Sequence, residues 1–223
     1  MSWLISTFLI GISTAFATTF DDNLYLTAFF GKVNRSFRPK HIVLGEFLGF
    51  TTLVCASLPG FFGGLIIPST WIGLLGLLPI AIGISNFISR DQETETVQAV
   101  SVDLTPAKSG RQKKSLLATI RDPQTYRVSA VTVANGGNNI GIYVPLFAST
   151  NLPSLGVILC VCYFTVGVWC LLSYYLTRNP LMTPVLTRYG RKICPFILIY
   201  LGLSILIKSE SYRLLPSLAM LSN

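Results

Sequence analysis

Apolar residues come in six long runs, at about 3–31, 40–63, 65–88, 126–149, 152–176 and 193–208, with most charged residues confined to the segments between them. A helix crossing the hydrocarbon core of a bilayer takes roughly 20 apolar residues, and lipid accepts only backbones that satisfy their own hydrogen bonds. The pattern predicts an all-α, polytopic membrane protein with six transmembrane helices. The first run is too long, and too polar near its end, for a cleaved signal peptide, and it lacks a basic leader and a small-residue cleavage pattern. It therefore counts as a span.

Residues 89–125 break the apolar pattern with Arg90-Asp91, Glu93, Glu95, Pro106, Ser109-Gly110 and a basic run from Arg111 to Lys114. The expected organisation is a three-helix repeat over 1–88, a cytoplasmic polar linker over 89–125 and a second three-helix repeat over 126–223. An odd number of spans in each half makes the second insert upside down relative to the first. Inverted repeats of this kind place a substrate site near the midplane, where the halves meet. Internal similarity is weak: setting Asp22-Asn23 over Asn138-Asn139 also aligns Ser13 with Ser129, and the third spans carry the related strings Pro79–Ile84 and Leu198–Leu203.

Composition agrees with this reading: 51% of residues are hydrophobic and only 12% charged, which argues against a soluble domain. The formal net charge of +8 could suggest nucleic acid, but the charges fall in the loops. Lys32, Arg35, Arg38 and Lys40 follow the first span; Arg90, Lys108, Arg111, Lys113, Lys114, Arg121 and Arg127 separate the third from the fourth; Arg178, Arg188, Arg191 and Lys192 separate the fifth from the sixth. Only Lys208 and Arg213 lie elsewhere. The positive-inside rule makes those three loops cytoplasmic and puts both termini outside.

Polar clusters stand out against the apolar spans. Thr14, Thr18, Asp22 and Tyr25 share one helical stripe, with Ser13 and Asp21 beside it. In the fourth span Thr132, Asn135 and Asn139 form another, and Gly136-Gly137 permits a local break whose freed carbonyls are tolerable only where they line a cavity or bind an ion. Pro145 and Pro79 are further expected disturbances. Glu46 lies inside the second span, where the Gly45-x-x-x-Gly49 spacing lets a neighbouring helix approach closely. Charged groups at membrane depth are costly and mark ion or proton handling. Carboxylates, amides and hydroxyls favour hard or borderline divalent cations, so Thr18, Asp21, Asp22, Asn23, Glu46, Asn135, Asn138 and Asn139 are the candidate metal ligands. Interhelical hydrogen bonding is the alternative for the asparagines, an extramembrane helix end for the aspartates, and the cytoplasmic interface for Glu46. His41 reads as an interfacial residue or a proton relay. The five cysteines, with no Cys-x-x-Cys, read as small packed residues or as a soft-metal relay.

The strings Thr19–Asn23 with Phe29-Phe30, Leu44–Gly49, Leu74–Ile84 and Ala134–Phe147 resemble the cadmium resistance transporters, within the lysine exporter superfamily, over nearly the whole chain. The resemblance implies a six-helix inner-membrane exporter that lowers cytoplasmic Cd2+ and other divalent cations, Zn2+ among the candidates; the absence of a cysteine at Asn135 makes a harder ion such as Mn2+ or Ca2+ the alternative cargo. It places the family's first-helix aspartate on Asp21. It also implies an aspartate where this chain has Asn138, in some members a cysteine where it has Asn135, and often a glutamine where it has Glu46. A carboxylate moved from the fourth helix to the second would leave the charge of the site unchanged.

No phosphate-binding loop occurs, since Gly110–Ser115 lacks the second glycine, so the driving energy is expected from an ion gradient. Outward movement of a divalent cation against an inside-negative potential costs roughly 4.6 kcal/mol per 100 mV, and exchange for two protons removes that term. The expected partners are a divalent cation, protons and the lipid of the plasma membrane, without nucleic acid and with a homodimer as one candidate assembly; no cofactor is expected. Rival readings are an exporter of a cationic amino acid, a passive channel, and an intramembrane aspartyl protease. The last needs paired aspartates on two helices, whereas the second cluster ends in asparagines.

Overall fold

The computed structural model describes residues 2–88, 119–178 and 183–211, and every regular element among them is a helix. In chain order they are α1 (Ser2–Thr19), α2 (Asp22–Gly31), α3 (Pro39–Ile66), α4 (Ser69–Leu74), α5 (Leu77–Ile88), α6 (Pro123–Asn135), a 3-10 turn (Gly136–Asn139), α7 (Ile140–Ala148), α8 (Leu152–Arg178) and α9 (Thr183–Lys208). Most of the predicted linker, with its basic run, lies outside the described residues.

The segments Pro39–Ile66, Ser69–Ile88 and Leu152–Thr177 are long and apolar enough to cross a membrane, and α1 with α2 adds a fourth candidate if the two count as one span bent by 57°. The other two predicted spans fall short of that standard. Residues 126–149 are divided by the 3-10 turn, and the apolar part of α9 is the shorter Ile193–Lys208.

Local chemistry accounts for the break in the first span, which apolar patterning did not predict. Thr18 and Thr19 turn their hydroxyls back onto the carbonyls of Thr14 (2.8 Å) and Ala15 (2.6 Å), a habit that bends helices. Asn23 donates to the Phe20 carbonyl both from Nδ2 at 3.0 Å and from its backbone N–H at 3.3 Å, while the Leu24 N–H turns to the Asp21 carbonyl at 3.1 Å, so the chain tightens here instead of continuing the helix. Asp22 then opens α2, at the helix end that favours negative charge. In the fourth span Asp122 accepts from the Gln124 N–H at 3.1 Å and Pro123 takes the first helical position, so α6 starts three residues before the predicted span. The glycine pair does produce a break, in the form of a tightened 3-10 turn. Pro145 is absorbed within α7, and Pro79 lies in the first turn of α5, where no helical N–H is required.

Packing pairs the elements across the chain. α1 and α2 run along α8, α3 runs along α6 and α7, and α5 runs along α9. The α3–α6 seam is tight for a stated reason: a Cβ on Gly45 would lie 2.5 Å from Val128 Cβ, and one on Gly49 would lie 2.5 Å from Thr132 Cβ. The expected Gly45-x-x-x-Gly49 approach is thus made by the fourth-span helix. An apolar core gathers Phe50, Val54, Tyr143, Phe147, Ile158 and Leu201. Ile5, Phe62, Ile66, Ile88, Phe164 and Phe196 are exposed, an apolar exterior of the kind that hydrocarbon covers.

Candidate functional site

The two helix breaks meet. Asn139, at the end of the 3-10 turn, donates its amide to the Thr18 carbonyl at 2.7 Å, while Asn135, just before that turn, donates to Asp22 Oδ1 at 3.1 Å. Each break therefore binds the other on both of its sides. Thr18 Oγ1 and the Tyr143 hydroxyl stand 2.6 Å apart. Thr18 Oγ1 also reaches the Thr14 carbonyl at 2.8 Å, so this one hydroxyl joins its own helix to Tyr143.

Glu46 reaches the same centre from α3. Tyr25 directs its hydroxyl at both carboxyl oxygens, at 3.0 and 2.9 Å, and Thr132 donates to Oε2 at 2.7 Å. The side chain is 1% exposed and Asp22 is 3% exposed; the two carboxyl groups are direct neighbours. The close approach at Gly49 sets Thr132 against α3 one turn beyond Glu46, so the glycine spacing and the hydroxyl contact are two aspects of one packing arrangement. Of the alternatives read from the sequence, exposure of Glu46 at the interface does not occur.

The structure thus brings together Thr18, Asp22, Glu46, Asn135 and Asn139. Asn23 is buried beside them, but its oxygen accepts from Ser173 of α8 at 2.8 Å and its nitrogen serves Phe20, so it ties the first break to α8. Asp21, the position matched to the family's aspartate, is half-buried and within electrostatic range of Cys194 on α9. Asn138 is exposed on the 3-10 turn, apart from the hydrogen-bonded group.

Four contributors were not among the candidate ligands. Tyr25 and Thr132 stood in the predicted polar stripes, and Tyr143 continues the four-residue spacing of Asn135 and Asn139, so a signal existed for these three. Ser173 is one of several scattered hydroxyls in α8 and gave none.

His41 is buried, with Nδ1 accepting from the Arg38 N–H at 3.1 Å and Nε2 at 3.9 Å from Asp122 Oδ2. That geometry puts the ring proton on Nε2 toward Asp122 and links the starts of α3 and α6. All five cysteines are free, with Cys162, Cys170 and Cys194 buried; Cys170 lies within electrostatic range of Asp22 and Glu46. Among the described residues, no three His, Cys, Asp or Glu side chains gather closely enough to hold a metal. A cation at this centre would need the amides, hydroxyls and carbonyls as well as the two acids.

Broken apolar helices crossing at buried carboxyl and amide groups define a helical membrane protein with a polar centre inside its bundle. The family model for cadmium resistance transporters matches residues 15–218. The chain belongs to that family, whose members are transporters. No curated protein and no solved structure matches it.

Proposed function

We propose that this protein is a secondary active exporter of divalent metal cations, Cd2+ with Mn2+, Ca2+ or Zn2+ as alternatives, driven by proton antiport across the plasma membrane. The observation that carries the reading is the buried Asp22 carboxyl facing Asn135 between two helix breaks, with Glu46 beside it. Two adjacent carboxyl groups with amide and hydroxyl oxygens suit a hard or borderline divalent ion. Broken helices with ion-binding groups at the break are a recurrent transporter design.

Support for six spans arranged as inverted repeats comes from the pairing of helices. Exchanging the two halves turns the α1–α2 contact with α8 into the contact of α6–α7 with α3, and returns the α5–α9 contact onto itself. The last seam repeats this in detail. A Cβ on Gly76 would lie 2.6 Å from the Gly202 carbonyl, and one on Gly83 would lie 2.9 Å from the Pro195 carbonyl. A step of 119 residues carries Gly76 onto Pro195 and Gly83 onto Gly202, exchanging one contact for the other.

In this mechanism the acids hold the cation when it enters from the cytoplasm and take up protons when it leaves outside, because protonation neutralises the ligands that bind it. The soft ligand expected at position 135 in some relatives is an amide here, which favours harder ions. Metal uptake by inside-out vesicles under an imposed pH gradient tests the proposal. Uptake should accompany proton release and collapse with the gradient; uptake that neither moves protons nor responds to pH would rule out the antiport.

A further inference from the structure

We infer that the Thr14 hydroxyl is an additional ligand for the transported cation, met on the outward side of the Asp22 centre; this rests on the export reading above. Thr14 is 0% exposed, and its Oγ1 has no hydrogen-bond partner. A buried hydroxyl left unpaired is destabilising, and such groups persist where something else supplies the missing partner. Its position indicates what that partner is. Thr14 precedes Thr18 by one turn of α1, so these two share a face, with Thr18 beside the break that Asp22 follows and Thr14 farther toward the end of α1 that the charge distribution puts outside.

The neighbouring hydroxyls narrow the chemistry. The hydroxyls of Tyr143 and Thr18 are partnered with each other, and Thr18 Oγ1 also reaches the Thr14 carbonyl. The Thr14 hydroxyl is left without a partner one turn from this contact, whose Tyr143 belongs to the apolar core with Ala15, Phe50 and Phe147. Its lone pairs can serve a cation, or water carried in its shell, and the carboxyl groups of Asp22 and Glu46 beside Thr18 disfavour an anion there. Tyr143 is itself wedged between Phe50 and Phe147, at ring separations of 6.1 and 5.6 Å, so the Thr18–Tyr143 contact closes the site on that side. A cation leaving Asp22 outward must displace this contact, and Thr14 offers the next oxygen.

The test is Thr14→Val, which keeps the shape and removes the hydroxyl, beside Thr14→Ser, which keeps the hydroxyl. Mn2+ and Cd2+ uptake are measured in inside-out vesicles, and thermal unfolding in detergent. The expected result for Thr14→Val is a maximal rate about tenfold lower, the scale of one lost hydrogen-bond-sized interaction, with an unfolding temperature equal to or above wild type because an unpaired group has gone. Thr14→Ser should retain most of the rate. Wild-type transport by Thr14→Val, or equal losses in both variants with lowered unfolding temperatures, overturns the inference. If Thr14→Val fails to fold, Thr14→Ala takes its place under the same criteria. Asp22→Asn separates this failure from that of the export reading. Loss of uptake in Asp22→Asn with normal uptake in Thr14→Val refutes the Thr14 role alone, whereas absence of cation uptake by wild-type vesicles refutes the export reading.

Discussion

Asn135 Nδ2 donates to Asp22 Oδ1 at 3.1 Å, joining residues 113 positions apart at the two places where the first and fourth apolar segments stop being continuous helix. The contact selects between the adjacent aspartates. Asp22 is 3% exposed and faces the fourth segment, while Asp21 is half-buried on the side of Cys194. Asp22→Asn is expected to reduce metal uptake in vesicles at least about tenfold, the consequence of losing a charged ligand. Asp21→Asn should retain a larger share of activity. The reverse ranking would move the cation site toward α9.

The resemblance to the family implies glutamine at the place of Glu46 and aspartate at that of Asn138. If total site charge governs transport, Glu46→Gln abolishes it and adding Asn138→Asp restores it. The geometry makes this a demanding test. Glu46 is 1% exposed and held by three hydroxyl contacts, whereas Asn138 is exposed on the 3-10 turn. Uptake rates of the single and double variants give the answer; a double variant as inactive as Glu46→Gln shows that position outweighs charge.

Much of this centre could be read from residue order, because its signals are local. Gly45 and Gly49 one turn apart announced a close helix approach, and Gly136-Gly137 among asparagines announced a break. What could not be read is where groups meet across the bundle. The first segment is apolar enough to pass for one helix, and its bend depends on Thr18, Thr19 and Asn23 engaging nearby carbonyls instead of solvent or neighbours. Adjacent Asp21 and Asp22 differ only in the direction that the bend gives them. Six spans were read from six apolar runs, but the fourth is interrupted and the sixth is short, so length and composition single out three helices and one bent pair.

Tyr25 and Thr132 hold Glu46 through separate hydroxyls, which predicts coupling between them. Hydrogen bonds to a charged group contribute about 1.5–3 kcal/mol each. Tyr25→Phe and Thr132→Val should each lower the unfolding temperature in detergent, and the double variant should depart from additivity because both act on one carboxyl group. In a Glu46→Gln background the cost of each change should shrink. Strictly additive losses, unchanged in that background, would mean that the hydroxyls stabilise the bundle independently of Glu46.

The α3–α6 seam provides the sharpest contrast between two glycines. A Cβ on Gly49 would sit 2.5 Å from Thr132 Cβ and 2.9 Å from the Ser129 carbonyl, whereas nothing lies within 4 Å of one on Gly137. Gly49→Ala is expected to cost about 1–3 kcal/mol by overpacking and to push Thr132 away from Glu46, lowering both unfolding temperature and uptake rate. Gly137→Ala meets open space, and replacing glycine restricts the unfolded chain, so stability should hold or rise. Uptake then separates packing from motion. If Gly137→Ala is stable yet slow, the 3-10 turn must change shape during the cycle; if it transports normally, the turn works as a fixed element and the movement that releases the cation lies elsewhere in the bundle.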